Sequence, residues 1–426
     1  CWSRDGKWIL SADADSPGTP SYIVLVSSET GEKRKLTGGE GLGEYQPALS
    51  PDNRLLVFVR EQAATRPVLV VVSLDSELKP AAAVRQLRPA GFWNLNPVWT
   101  PDGKSLLFSS SSSALYTARL WRISASGDSP PALVPQAGEG ALCPAVSPQG
   151  NRVVFSRWFG DTNIWRVDVS GPGGRAGTPR PVVASTRIDQ WPTFSPDGGR
   201  IAFNSSRSGG LGIWLANADG SNAQPLHVDS NYVSEDPAWS PDGRTIAFDT
   251  SKDRHYQIYL ISPEGGAPRR LTDHPSDNRA PSWSRDGKRI YFTSNRTGRW
   301  EVWGMSAAGG EAVQLTRKGG LIAQVSPDGR TLFFHREWLS GVIPTSLWKM
   351  RVEGGQETKV LDSASVRNWV PVEKGLWFIN WTHPGDAALQ FLEFTSGKVT
   401  RVAPISKPPG SALPFHLTAG PSSTRR

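Results

Sequence analysis

Pro237-Ala238-Trp239-Ser240-Pro241-Asp242-Gly243-Arg244-Thr245-Ile246-Ala247-Phe248 decides the fold of this chain. A short apolar run ends in Pro-Asp-Gly, the local signal for a tight hairpin turn. After it, Thr245 to Asp249 alternates apolar and polar residues at period two, as a strand does. A polar break from Ser251 to His255 leads to a third strand, Gln257-Ile258-Tyr259-Leu260-Ile261. Gly265-Gly266 makes the next turn, and Pro268-Arg269-Arg270-Leu271-Thr272 reads as a polar outer strand.

The phrase returns nine times, at intervals of 42 to 50 residues. The copies are Trp2-Ser3-Arg4-Asp5-Gly6, Ser50-Pro51-Asp52-Asn53, Trp99-Thr100-Pro101-Asp102-Gly103, Ser147-Pro148-Gln149-Gly150 and Phe194-Ser195-Pro196-Asp197-Gly198. Then come the Trp239 copy, Trp283-Ser284-Arg285-Asp286-Gly287, Ser326-Pro327-Asp328-Gly329 and a worn Glu373-Lys374-Gly375. Four strands in roughly 45 residues is one propeller blade, and repetition at this period means one small unit stacked on itself. The expected fold is all-β, a β-propeller of four-stranded antiparallel blades with nine repeat units. Nine exceeds the about six to eight blades common in one ring, so one propeller plus part of a second is expected, truncated at both ends. Residue 1 is Cys and falls inside a first strand, and imperfect closure with an exposed edge should follow.

The repeat array occupies residues 1–403, and residues 404–426 form an irregular tail that loses the pattern. Shifted by two bases, the codons of Pro414 to Arg426 can be read Phe-Ser-Pro-Asp-Gly-Arg-Ser-Ile-Leu-Tyr-Ala. A frameshifted start of a tenth unit is therefore expected there.

Most of the prominent residues build the repeat. Ile201-Ala202-Phe203, Ile290-Tyr291-Phe292 and Leu332-Phe333-Phe334 fill the second strand, and Ile164-Trp165, Ile213-Trp214, Val302-Trp303 and Leu347-Trp348 the third. The 18 Trp are thus expected to pack between sheets and not to stack bases or sugars. Asp and Gly in each phrase are what such turns select, and so many equivalent acids cannot all be catalytic. Ser206-Arg207-Ser208-Gly209 and Asn295-Arg296-Thr297-Gly298 read as hairpin turns too.

The 43 Gly and 35 Pro fall at turns and not in runs, which marks a loop-rich β protein. Two cysteines, Cys1 and Cys143, make no disulfide framework, and Cys143 in an apolar strand is expected to be small and buried. The net charge of +8 is spread over every unit and favours outer-strand ends such as Lys33-Arg34-Lys35, where it guards sheet edges. Direct nucleic-acid contact by this region is not expected, and no membrane segment is visible.

Pro-x-Trp-Ser-Pro-Asp-Gly, then Ile-Tyr or Ile-Trp, Gly-Gly and Leu-Thr, resembles the TolB-type β-propeller repeat over residues 1 to about 403. Asp161-Thr162-Asn163-Ile164-Trp165-Arg166 with Gly171-Pro172-Gly173-Gly174, and Glu264-Gly265-Gly266-Ala267-Pro268, resemble the C-terminal propeller region of bacterial CadC-like winged-helix transcriptional regulators and of propeller-bearing serine/threonine kinases. The resemblance implies a sensory or protein-interaction propeller joined to an N-terminal output domain. Any DNA binding would reside in that domain, and the propeller would face the periplasm or, alternatively, the cytoplasm. Protein or peptide is the implied partner, with a small polar ligand as another option.

Catalysis finds no foothold in the sequence. Gly-x-Ser-x-Gly, which a prolyl-oligopeptidase-type (S9) serine peptidase requires, does not occur, so that reading needs a catalytic domain outside this chain. The six His are scattered singly, without metal-ligand spacing, and the Gly-Gly pairs end strands and do not open phosphate-binding helices. No enzyme activity, metal or cofactor is expected. If a site exists, it belongs at the channel mouth, in the residues just before each first-strand Pro. The candidates are Tyr45, Gln46, Asn94, Asn96, Asp189, Gln190, Glu235, Asp236, Asn278 and Arg279.

Overall fold

The computed structural model describes residues 1–405 apart from 4, 17–18, 62–66, 82–83, 88–92, 112–117, 148, 158–161, 172–173, 230–231, 253–254, 337–344 and 381–386. The tail expected to begin a tenth unit, residues 406–426, lies outside the described residues, as do Arg4, Pro148, Asp161, Pro172 and Gly173 of the phrases above. The described residues form ten successive antiparallel sheets, seven of them four-stranded with strands in chain order. Their helical content is a 3-10 turn at Pro135–Ala137, and no helix among them is long and apolar enough to cross a membrane.

The phrase that opened the sequence reading builds sheet seven, from Ser234–Trp239, Ile246–Thr250, Gln257–Ile261 and Arg269–Arg270. Its turn is a small hydrogen-bonded device. Ser240 Oγ donates to Asp242 Oδ1 at 2.6 Å, Arg244 N donates to the same oxygen at 3.1 Å, and Thr245 N donates to Ser240 Oγ at 3.0 Å. Gly243 sits at φ +70°, where a Cβ is costly. The same pairing recurs at Ser50–Asp52, Thr100–Asp102, Ser195–Asp197, Ser284–Asp286 and Ser326–Asp328. The Ser or Thr hydroxyl bond, helped by the backbone amide, holds these carboxyls below the usual range. They fold the turn.

Every second strand of a four-stranded sheet carries one fully buried Phe: Phe58, Phe108, Phe203, Phe248, Phe292, Phe334 and Phe378. Each lies in a cluster shared with the neighbouring sheet, which is how stacked blades bury apolar area. Phe248, Ile246 and Tyr259 of sheet seven, for example, pack with Ala202 and Ile213 of sheet six. Tryptophans at the ends of first strands add a polar bond. Trp99 Nε1 donates to Ala48 O at 2.9 Å, Trp239 Nε1 to Thr193 O at 3.3 Å and Trp283 Nε1 to Ala238 O at 3.0 Å. In each case the acceptor lies in the first strand of the preceding sheet. The expectation that these rings pack between sheets holds, and the indole N–H helps fix their spacing.

First strands are not regular. In seven sheets two residues of the first strand oppose one of the second, with the break at Tyr45/Ala48, Leu95/Val98, Leu142/Ala145, Gln190/Thr193, Glu235/Ala238, Arg279/Ser282 and Leu321/Gln324. The residue at each bulge is left-handed: Gln46, Asn96, Cys143, Trp191, Asp236, Ala280 and Ile322, with φ between 49° and 54°. Pro follows in six of them, a residue with no N–H, suited to a place where the ladder is already interrupted. A left-handed non-Gly residue costs about 1–2 kcal/mol, so something must hold it. In the second half of the chain that is the preceding blade. Asp236 N donates to Asn204 Oδ1 at 3.2 Å, Ala280 N to Asp249 Oδ2 at 2.7 Å and Ile322 N to Thr293 Oγ1 at 3.0 Å. All three acceptors are buried at the same place in their second strands.

The chain divides into two compact units between Phe159 and Gly160. The first contains sheets one to four, which pack in sequence. Leu10, Ile23 and Leu25 meet Leu56 and Phe58, then Val57 and Val59 meet Leu106 and Phe108, and Leu120 meets Ala141. The second unit contains sheets five to ten and closes on itself. Sheet five (Ile164–Arg166 and Arg180–Val183) packs on sheet six through Ile164, Val183, Phe203 and Trp214. Sheets seven to nine follow through further shared clusters, and sheet nine meets sheet ten through Phe333, Leu347 and Phe378. Val167, just after the first strand of sheet five, then packs against Trp377 and Phe391 of sheet ten. Six sheets make the ring.

Two expectations need correction. The fourth repeat, expected as one blade, is divided. Ala141–Val146 and Val153–Arg157 form sheet four in the first unit, whereas Ile164-Trp165 and the outer strand form sheet five in the second. The two halves bury their apolar residues against different neighbours, Leu120 for one and Phe203 for the other. Cys143 is exposed and not buried, in a sheet whose second strand, Val153–Arg157, is itself exposed along its length.

Thr293→Val keeps the shape of the side chain but leaves the Ile322 amide buried and unpaired, and should destabilise by about 1–3 kcal/mol in chemical denaturation. Phe292→Ala should cost more, about 3–5 kcal/mol, as a truncation in a shared core.

Candidate functional site

The ring encloses a channel lined by the first strands of sheets six to ten, a cavity of about 940 Å³ bordered by Trp191, Asp236, Ala280, Ile322 and Arg367 among others. These are the left-handed residues of their blades, Arg367 included at φ 65°. In sheets six to nine the bulge thus sets one channel-bordering residue per blade on a fixed backbone, and in sheet ten the turn before the first strand does so.

Arg367 crosses that channel. It enters from sheet ten (Trp369–Val372, Gly375–Asn380, Ala388–Glu393, Val399–Pro404) and meets Asp236 of sheet seven, on the opposite side of the six-membered ring. The contact is bidentate, with Nη2 donating to Oδ2 at 2.9 Å and Nη1 donating to Oδ1. The guanidinium also lies over the Trp191 ring, 4.5 Å from its centroid. Planar, two-pronged pairing and stacking on an aromatic face are what Arg provides and Lys does not.

A second buried ion pair stands behind the first. Arg279 Nη2 donates to Glu235 Oε2, its Nε is 3.9 Å from Asp249 Oδ2, and its guanidinium lies over Tyr256 at 3.9 Å. Burial, and then the negative charges of Asp236 and Glu235, push the Asp249 carboxyl well above the usual range. Burial raises Glu235 and Tyr256 as well. Burial also works against the Arg279 charge, but Tyr256, Glu235, Asp249 and Asp236 more than offset it and hold the guanidinium protonated.

The ten sequence candidates thus divide. Asp236 alone of them lines the cavity, and Glu235 and Arg279 stand beside it in the charged cluster. All three are members of first strands. Asp189 is buried in a bidentate bond from Arg207, at 3.0 and 2.8 Å, and Gln190 is buried next to it. Asn278 donates to Gln257 Oε1 at 3.0 Å and accepts from Arg296 Nη2 at 2.7 Å. These two arginines belong to the hairpin turns identified in the sequence, and they reach back to brace the strands. Tyr45, Gln46, Asn94 and Asn96 lie in the first unit. There Gln46 Oε1 accepts from Asn96 N at 2.7 Å, Asn94 Oδ1 accepts from Ser110 Oγ at 2.9 Å, and burial pushes the Tyr45 hydroxyl up to about 12. Sequence reasoning left out Trp191 and Arg367. Trp191 occupies the left-handed place before Pro192, the one signal that would have selected it. Arg367 precedes Asn368 and not Pro, so its blade hides the pattern.

Among the described residues no three His, Cys, Asp or Glu side chains are grouped to hold a metal ion. The charged groups of the cluster are paired with one another.

Residues 226–372 match the family model described as the TolB beta propeller domain. An uncharacterised protein of Agrobacterium fabrum is 29% identical over 179 residues, covering 32% of this chain and 58% of that protein. The Tol-Pal system protein TolB of Bordetella pertussis is 36% identical over 208 residues, covering 48% of this chain and 43% of TolB. The chain therefore spans less than two thirds of these curated relatives. The crystal structure of TolB from Acinetobacter baumannii aligns over 82% of this chain and 79% of that one, at 17% identity and a TM-score of 0.34, too loose a superposition to bear on function. The stacked four-stranded sheets define the class, a β-propeller, and residues 226–372 carry the TolB-type repeat.

Asp249 offers a test of the cluster. Its raised folded pKa means that the folded state keeps a proton the unfolded chain has lost. The stability this gives is whole below the ordinary carboxyl pKa and is lost as pH rises through the raised folded value. Asp249→Asn keeps an oxygen for the Ala280 amide, as Asn204 does for Asp236, and removes this titration. Thermal unfolding of the variant should lose less stability than the parent between the acid carboxyl range and neutrality.

Proposed function

We propose that this chain is a non-catalytic recognition propeller that takes a protein or peptide segment at the channel of its second unit. One observation carries the reading. A channel of about 940 Å³ is bridged at Arg367 by an ion pair to Asp236 and an aromatic platform at Trp191. A ligand carboxylate can compete with Asp236 for Arg367, and an apolar or planar group can stack on Trp191. The cluster behind them is rigid, which lowers the entropy a ligand must give up to order the site. Buried aromatic and Arg side chains are also the residues that dominate binding energy where proteins meet.

The TolB-type repeat supports a protein partner. In a bacterial signalling protein this propeller serves as the sensory or interaction part, with a winged-helix regulator the first choice for the whole and a kinase the second. Within that reading the propeller faces the periplasm and contributes no catalytic group.

Selection of binders from a displayed random dodecapeptide library against this chain, followed by titration of the enriched peptides, tests the proposal. Trp191→Ala should weaken the enriched peptides tenfold or more while the thermal transition stays within a few degrees, and Arg367→Ala should weaken them as much but also lower the transition, because Asp236 is left buried and unpaired. Peptides that bind the Trp191→Ala protein as tightly as the parent would place recognition elsewhere. Incubation with a Pro-containing fluorogenic peptide should give no turnover. Hydrolysis abolished by a single substitution in this chain would replace the binding reading with an enzymatic one.

A further inference from the structure

The channel of the second unit has two unlike ends. Each of the five stretches that line it begins at the left-handed residue and runs toward the hairpin turn, as Asp236 to Pro241 and Ile322 to Pro327 do. At the turn end Pro196, Arg285 and Glu373 are exposed, whereas at the other end Asp236, Ala280 and Ile322 are buried. Gln190, Glu235 and Leu321, each one residue before its left-handed neighbour, are buried too and do not border the cavity. The Arg367–Asp236 pair is thus the floor of a pocket whose rim is made by the Ser-Pro-Asp-Gly turns. From Asp236 to Pro241 the strand advances five residues, a depth of about 16 Å.

We infer that the ligand of this channel is the C-terminal end of a peptide, inserted carboxylate first from the turn face and received by Arg367 in exchange for Asp236. The inference rests on the channel reading above and specifies its ligand. Depth selects a chain end. An acidic side chain on a segment lying across the rim is too short to reach the floor, so the backbone that carries the acid must itself enter. A single strand with a terminal carboxylate does this without having to turn back. The floor is set to receive it. Trp191 carries the Arg367 guanidinium on its face, 4.5 Å from the ring centroid, and so orients the fork independently of Asp236. Both nitrogens that now donate to Asp236 can donate to the two oxygens of a terminal carboxylate. Asp236, once displaced, keeps the charge of Arg279 beside it. Capture of a terminal carboxylate is one of the recurring ways in which proteins read peptides.

Two libraries of random dodecapeptides on one carrier protein test this, the first with the peptide as the free C-terminus and the second with a folded domain fused after it. Panning on the full chain should enrich peptides from the first library only. Synthetic copies that end in a carboxylate should bind at least tenfold more tightly than copies that end in a carboxamide. Asp236→Asn removes the competing carboxylate but keeps the backbone bond to Asn204. It should tighten the carboxylate peptides at least threefold and leave the carboxamides unchanged, a gain that a misfolded variant cannot give. Peptides that bind equally well with either ending, or from within a fusion, and that weaken on Trp191→Ala would overturn the inference while the channel reading stands. Peptides indifferent to Trp191→Ala, or no enrichment from either library, would overturn both. An Asp236→Asn effect that is absent, or the same for both endings, counts against the exchange.

Discussion

In sheets seven to nine, a backbone amide that its own sheet cannot satisfy ties the blade to the one before it. The first-strand bulge takes one residue out of the ladder and sets it in a left-handed conformation, and in these three blades its N–H points to a buried oxygen of the preceding second strand. Asn204, Asp249 and Thr293 differ in chemistry but share that task. Leaving such an amide unpaired would cost about 1–3 kcal/mol, comparable to the strain of the bulge itself. The bond therefore converts a locally unfavourable backbone into a contact that exists only when two blades are stacked. Trp239 and Trp283 repeat the principle with an indole N–H, and the buried Phe of each second strand supplies the apolar area. Strand, bulge, stack and ring are one argument.

The same constraint explains why acids lie buried near the channel. Asp249 is in the cluster because the Ala280 amide needs an acceptor, and Arg279 pairs with Glu235 beside it. Arg367 and Asp236 are different. They face the cavity, bridge opposite sides of the ring and can exchange partners without disturbing any amide. Structural and recognition charges stand a few ångströms apart, and only the second kind is open to a ligand.

Much of the fold was legible because the repeat writes it many times. Gln257 to Ile261 is a strand in the positions that period-two alternation and the flanking turns indicated, and the Ser-Asp turns fold as their residues suggest. The division of the fourth repeat was not legible. Val153-Val154-Phe155 and Ile164-Trp165 each satisfy the strand pattern, and nothing local says that they serve different units. The site was half legible. Proximity to the first-strand Pro pointed to Glu235, Asp236 and Arg279, but it could not show that alternate residues turn inward, since a bulge reverses the period that sequence patterns assume. Asp189 and Asn278 were chosen for polarity, and the structure spends that polarity on Arg207 and Arg296. Arg367 acts across the ring, a long-range pairing that no window of sequence displays.

The left-handed bulge positions carry Gln46, Asn96, Cys143, Trp191, Asp236, Ala280 and Ile322, seven residue types on one recurring backbone. A place that accepts an amide, a thiol, an indole, an acid, a methyl and a branched alkyl group makes little demand on its side chain. Framework and vocabulary are thereby decoupled, much as in a combination lock whose wheels turn independently in a common housing. New specificities can be written into such a ring one letter per blade, with the housing left as it is.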